Sequence, residues 1–80
     1  MSGYIGKIIE EVHRQDDKWG EQNHDDLYWL GILMEEVGEV ATELIEHRGK
    51  KLEQKTDDEI IQCAAVCLNW LNCRERRRRG

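Results

Sequence analysis

The chain has 80 residues and a net charge of −5, from 17 acidic and 12 basic side chains. This length allows one domain with a modest core, because so short a chain buries only roughly 60% of its unfolded surface. The composition excludes a disulfide or zinc scaffold, since the three cysteines are odd in number and lack ligand spacing. No apolar run approaches the roughly 20 residues of a membrane span, and no signal peptide is visible. We therefore expect a soluble cytoplasmic protein that associates with copies of itself to bury more surface.

The first predicted helix covers roughly residues 3–18, because apolar side chains recur there at helical spacing. A polar connector follows, in which Gly20 is a C-terminal stop and Asp25 or Asp26 is the N-cap of the next helix. The apolar side chains of the first helix are Tyr4, Ile5, Ile8, Ile9 and Val12.

The rest of the chain favours two more helices and no strand, so the predicted fold class is all-α. The second helix runs from about residue 26 to residue 47 and ends at Gly49, and a basic link covers residues 50–55. The third helix covers residues 57–73. The spacing of a core-facing stripe is found in the second helix, at Leu30, Leu33, Val37, Val40, Ala41 and Leu44.

Three acidic residues border this stripe. Glu36, Glu39 and Glu43 fall within about 60° of one another around the helix. Carboxylates so placed are partly desolvated, and they repel each other unless a proton or a cation joins them. A hard divalent cation such as Mg²⁺, which prefers oxygen ligands, suits such a cluster. The alternative is that these residues are solvated boundary positions of an ordinary amphipathic helix.

The third helix is apolar nearly all round from residue 60 to residue 71, which predicts burial on more than one face. Gln62 and Asn69 interrupt this run on one side, and Glu59 lies one turn before Gln62 on the same side. An unsatisfied buried amide costs roughly 1–3 kcal/mol, so the polar stripe must face a site, a water, another subunit or a hydrogen-bonding neighbouring helix. Glu59 has a rival role, because Thr56 to Glu59 has the spacing of a capping box.

Three segments of the chain carry a family likeness: Lys18-Trp19-Gly20-Glu21-Gln22-Asn23-His24, Leu33-Met34-Glu35-Glu36-Val37-Gly38-Glu39-Val40 and Glu59-Ile60-Ile61-Gln62. From about Asp17 to Leu71 the chain resembles the MazG-like all-α nucleoside triphosphate pyrophosphohydrolases, particularly their short single-domain members. The metal motif of that family is Glu-x-x-Glu, a spacer and Glu-x-x-Asp. Here Glu36 and Glu39 match the first half and Glu59 begins the second, whereas Gln62 stands where the family usually has Asp.

The resemblance implies Mg²⁺-dependent cleavage of a nucleoside triphosphate to the monophosphate and pyrophosphate, by helical subunits that form dimers or tetramers. Such hydrolysis needs charge neutralisation on the phosphates and an oriented water. The resemblance assigns catalysis to Glu36, Glu39 and Glu59, with Gln62 as a further metal ligand. Because glutamine brings no charge, metal affinity is expected to be weak unless another carboxylate substitutes, the candidates being Glu35, Glu43 and Asp58.

The predicted substrate-binding residues lie mostly near the join of the first two helices. Trp19 has an alternative role in the core, because it lies on the first helix's apolar stripe, and His24 has the alternative of an ordinary loop histidine. Trp29 is a further candidate for the base, and basic residues of the link are candidates for phosphate contact or for a solvated segment. The substrate-binding set is Lys18, Trp19, Asn23, His24 and Asn69, and the basic candidates are Arg48, Lys50, Lys51 and Lys55.

Two other functions stay open. The first is a non-catalytic nucleotide- or metal-binding homo-oligomer, in which Gln62 has removed turnover. The second, weaker, uses the arginine-rich residues 74–80 on nucleic acid. We expect that segment to be a disordered tail outside a helical domain of residues 1–73. The sequence does not identify the base or the sugar of a nucleotide substrate.

Overall fold

The computed structural model describes residues 3–46 and 53–80, in which three α-helices and no strand are found. The helices are α1 (Gly3–Trp19), α2 (Asp26–Glu46) and α3 (Glu53–Arg79). The predicted all-α class is therefore confirmed. The predicted stop at Gly49 and the basic residues 48, 50 and 51 lie outside the described residues. None of the described helices is long and apolar enough to cross a membrane.

Both ends of the α1–α2 connector form as the sequence predicts. Gly20 adopts a φ of +76°, a left-handed conformation that favours glycine, and its N–H donates to the carbonyl of Asp16 at 2.7 Å. Asp25 is the N-cap of α2, because its Oδ1 accepts a hydrogen bond from the Tyr28 N–H at 2.8 Å. These two local interactions end one helix and begin the next.

The helix α3 is the centre of the structure. It packs against α1 on one side and α2 on the other, whereas α1 and α2 do not pack on each other within the described residues. This layer of three helices measures 48 × 30 × 21 Å. The predicted burial of α3 on more than one face is confirmed, with fully or nearly fully buried positions at Ala65, Val66, Asn69 and Cys73.

The buried face of α2 differs from the predicted one. Trp29 and Glu43 are buried, and Ile32, Leu33, Glu36 and Val40 are half-buried. The helix is thus rotated so that the acidic border turns inward towards α3, because Trp29 packs against Val66 and Cys73. Part of the predicted core stripe is consequently exposed, at Leu30, Val37, Ala41 and Leu44.

The start of α3 corrects the prediction of a capping box. The helix begins at Glu53, so Thr56 lies inside it and is not its N-cap. An interior helical residue has its own N–H in the helical ladder, which removes the need for a carboxylate at Glu59 to reach back. Glu59 is free to point towards α2.

The arginine-rich end of the chain corrects a second prediction. Instead of a disordered tail at residues 74–80, α3 continues to Arg79. The reason is a set of long-range contacts: Asp26 accepts hydrogen bonds from Trp70 Nε1 at 2.9 Å and from Arg77 at 2.7 Å, and it pairs with Arg74. These donors hold the pKa of the Asp26 carboxyl far below its usual range. Basic residues also suit a helix C-terminus.

Candidate metal centre and adjoining groove

Three carboxylates meet where α2 faces α3. Glu36 and Glu39 come from successive turns of α2, and Glu59 comes from the first half of α3. One carboxylate oxygen from each residue lies within 4.8 Å of the other two. The sequence motif places these three residues in one site, and the structure brings their side chains together.

The triad contains polar atoms that lack partners. Glu36 Oε2 and Glu59 Oε2 are inaccessible to solvent and have no hydrogen-bond partner among the described residues. A buried polar atom without a partner costs roughly 1–3 kcal/mol, and more when it is charged. Oxygen ligands of one Mg²⁺ ion at 2.0–2.1 Å lie about 3 Å apart when adjacent and about 4 Å apart when opposite. Small side-chain rotations would bring the triad into that range, so the donor set fits a hard divalent cation.

Burial and the crowding of like charges raise the pKa of two carboxyl groups of the triad. Burial raises the pKa of Glu36 to about 7, helped by the charge of Glu39, a hydrogen bond with Glu39, and the charges of Glu59 and Glu11. The pKa of Glu59 is raised as well, first by burial and then by its hydrogen bond with Glu39. Glu39 therefore acts on the pKa of both other carboxylates. A raised pKa favours the protonated form, which relieves the repulsion that a cation would otherwise offset.

A fourth carboxylate lies near the triad, on α2, and forms an ion pair with a lysine. Glu43 is buried, and its Oε2 lies 3.5 Å from the ammonium of Lys55. The charge of Lys55 opposes the rise in the pKa of Glu59, and that of Glu43 adds to it. Glu43 and Lys55 therefore form an ion pair at the edge of the triad. Glu35, by contrast, is exposed to solvent.

Gln62 lies beside the triad, at the junction of two cavities. One cavity, of about 170 Å³, is lined by Gln62 and Glu36 and extends to Trp19. The other, of about 420 Å³, lies between α1 and the first half of α3 and is also lined by Gln62. The two cavities share the lining residues Gln62 and Arg14, and we call them together the α1 groove. Gln62 joins the groove to the acidic cluster.

Trp19 stands at the rim of the α1 groove with 65% of its surface exposed. The alternative role in the core is therefore wrong for this residue. The ammonium of Lys18 lies 4.9 Å from the centre of the Trp19 ring, a cation–π contact. Trp29, in contrast, is only 2% exposed and forms the floor of the same cavity, so it has no free ring face for a base.

The other predicted substrate contacts lie outside the lining of the α1 groove. Asn23 Oδ1 accepts a hydrogen bond from Arg76 Nε at 3.1 Å. His24 stacks on Tyr28 and meets the edge of Trp29, with ring centres 4.4 and 5.1 Å apart. Asn69 is buried and donates to Gln15 Oε1 at 2.8 Å, an inter-helix tie of the kind that the polar stripe predicts.

Polar residues of α1 and the connector are the part of the site that sequence reasoning missed. Arg14, Gln15 and Gln22 line the cavity that contains Glu36. Arg14 and Gln15 are signalled only by a polar face at helical spacing, which solvated helices share. Gln22 lies within the segment of family likeness but is not among the predicted site residues. Gln15 also donates to Glu11 at 3.1 Å, so its amide is fixed from both ends.

Comparison with protein-family models, with curated proteins and with solved structures gave no match for this chain. The resemblance to the MazG-like enzymes therefore rests on the sequence motifs alone.

We expect Glu36 to make the cation-free protein less stable as the pH rises from about 5 to about 7. Its pKa is about 7 in the folded protein against an ordinary value of 4.5. Between these values the unfolded chain has released a proton that the folded protein retains, so this group's contribution disfavours folding increasingly with pH. Urea unfolding at several pH values, without divalent cations, measures the free energy of unfolding.

The matched variants are Glu36→Gln, which should remove this pH dependence and be more stable at pH 7, and Glu35→Gln, which should keep it. Identical pH profiles for the wild type and Glu36→Gln would contradict the crowded-carboxylate interpretation.

Proposed function

We propose that this protein is a Mg²⁺-dependent nucleoside triphosphate pyrophosphohydrolase. The observation that carries the proposal is the convergence of Glu36, Glu39 and Glu59 within 4.8 Å, at the positions that the MazG-like motif assigns to metal. Support also comes from the α1 groove, which opens beside this cluster and has a flat aromatic surface at its rim. A nucleotide-pool role would follow from the family likeness.

The three carboxylates would hold the cation, since like charge prevents them from contacting a polyphosphate directly. A bound Mg²⁺ ion would supply charge neutralisation and an acidified water. Glu39 lies within 4.8 Å of both other carboxylates and is the most exposed of the three, so it is the residue best placed to accept the proton of an attacking water. Gln62 would orient ligands through its amide without adding charge.

The nucleoside would lie in the α1 groove. Trp19 offers an exposed indole face on which a base can stack. The amides of Gln22 and Gln62 line the same cavity and can each donate and accept a hydrogen bond. This arrangement suits a flat heterocycle with polar edges.

Assembly into a homo-oligomer is part of the proposal. The face of α2 that points away from α3 carries exposed apolar residues at alternating spacings of three and four, the pattern of a helix that packs on another helix. Ile60 and Leu71 add exposed apolar surface on α3. The α2 residues are Leu27, Leu30, Met34, Val37, Ala41 and Leu44. Sedimentation of the intact protein at micromolar concentration should show a dimer or larger species, and a folded monomer would contradict this part.

One alternative function is favoured by a specific observation. The residue beside the triad is a neutral glutamine, so the site has one carboxylate fewer than the family motif. That substitution favours a non-catalytic nucleotide- or metal-binding oligomer. The nucleic-acid alternative gains no such support, because Arg74, Arg76 and Arg77 all bond to residues of the α1–α2 connector or the start of α2.

We expect Glu36→Gln and Glu39→Gln each to lower Mg²⁺-dependent pyrophosphate release by at least about 10–100-fold, the loss seen for residues that only support metal ligands. Helix content should stay unchanged, because neither side chain maintains the core. Glu35→Gln is the matched control, since it removes the same charge one residue away at an exposed position. Full activity in either triad variant would place the cation elsewhere.

Gln62→Asp should tighten Mg²⁺ binding and retain pyrophosphate release, because it restores a carboxylate beside the triad. Gln62→Leu should lower activity if the amide orients a ligand. Titrating Mg²⁺ against the rate of pyrophosphate release compares the three proteins. Pyrophosphate release by Gln62→Asp but not by the wild type would support the non-catalytic alternative for the natural chain. Weaker Mg²⁺ binding in Gln62→Asp than in the wild type would show that position 62 is not part of the metal site.

A further inference from the structure

Arg14 occupies a position in the α1 groove that no part of the predicted site includes. It lines both cavities of the groove, and Gln62 is the one other residue that does so. Among the residues that line the cavity containing Glu36, Arg14 is the one basic side chain. A polyanion drawn to a cation at Glu36 would therefore meet this guanidinium first within that cavity.

The guanidinium of Arg14 is oriented by two hydrogen bonds to the carboxylate of Glu11. Its Nε donates to Glu11 Oε1 at 2.9 Å, and its Nη2 donates to Glu11 Oε2 at 2.6 Å. This two-point pairing lowers the pKa of Glu11 and raises that of Arg14. The geometry is the fork that arginine presents equally to a carboxylate or to two oxygens of a phosphate. The Glu11 carboxylate thus marks a place where phosphate oxygens fit.

Displacing Glu11 from this fork costs little on the arginine side. The Arg14 side chain is 57% exposed, so solvent screens its ion pair, whereas the Glu11 side chain is 14% exposed and keeps a hydrogen bond from Gln15. The negative charge of Glu11 also adds to the crowding at Glu36. Lys55 is less available, since it is paired with the buried Glu43. Lys7 lines the larger cavity of the groove but not the one that contains Glu36.

We propose that Arg14 is a phosphate-binding residue, whose fork exchanges the Glu11 carboxylate for the phosphate chain of the substrate. This assignment rests on the proposed function for the nature of that substrate, a nucleoside triphosphate. It adds a positive group on α1 beside the three carboxylates of α2 and α3.

The test uses inorganic tripolyphosphate as the probe, with and without Mg²⁺, and calorimetry of the intact protein. Arg14→Gln should weaken binding about tenfold or more, because a bidentate charge-assisted contact is lost. Arg14→Lys should be intermediate, since lysine keeps the charge without the fork. Arg79→Gln removes the same charge from the far end of α3 and should change binding less than about twofold.

Glu11→Gln distinguishes contact from a general charge effect. It should tighten binding in the natural chain by releasing Arg14, and it should do so much less in the Arg14→Gln background. Equal effects of Glu11→Gln in both backgrounds, wild-type affinity in Arg14→Gln, or no binding by the wild type would each overturn the assignment.

The outcomes separate this inference from the proposed function. Arginine-dependent binding of tripolyphosphate, without pyrophosphate release from any nucleoside triphosphate, would leave Arg14 assigned and overturn the enzyme. Pyrophosphate release by Arg14→Gln with unchanged KM would leave the enzyme and overturn the role of Arg14.

Discussion

The crowding of three carboxylates between α2 and α3 is the constraint on which the rest of the structure depends. Glu36 and Glu59 each bury an oxygen that has no partner among the described residues, and Glu39 joins them. Like charges at this distance disfavour folding unless a proton or a cation offsets them. A chain of 80 residues has little stability to spare, so the cost of this cluster is a large share of the total unless a proton or a cation offsets it.

The central position of α3 explains how the cluster and the groove come to adjoin. One side of α3 presents Glu59 to α2, and the neighbouring polar side presents Gln62 and Asn69 to α1. The acidic centre therefore forms against one neighbour, and the polar groove, with charges of both signs, forms against the other. The C-terminal turns of the same helix hold the connector in place, since Arg76 donates to the carbonyl of Gln22 at 2.8 Å. One helix thus organises the acidic cluster, the groove and the connector.

The helix boundaries that the sequence predicts correctly are set by local interactions, within about one helical turn. A glycine after Trp19 and an aspartate before α2 act within one turn, so the helix boundaries near Gly20 and Asp25 are readable without a fold. The Glu-x-x-Glu spacing likewise fixes Glu36 and Glu39 on one side of a helix. What local chemistry leaves open is which arc of an amphipathic helix turns inward. The two apolar arcs of α2 compete, and Trp29 decides between them by packing on α3.

Contacts distant in sequence account for the remaining differences. The arginine segment is helical because Arg74 and Arg77 meet Asp26, some fifty positions earlier in the chain. Arg14 lines the groove because α1 lies along α3, and the sequence could not predict this because a helical Arg–Glu pair has the same pattern on any solvated surface.

The most direct test of a cation at the acidic cluster is the shift in melting temperature on adding Mg²⁺. A cation that binds only the folded protein raises its stability in proportion to the logarithm of its concentration above the Kd. The wild type should melt at progressively higher temperature with increasing Mg²⁺ at pH 8, whereas the variant Glu39→Gln should respond weakly. No Mg²⁺ dependence in the wild type, or an equal dependence in both proteins, would contradict a metal centre at Glu36, Glu39 and Glu59.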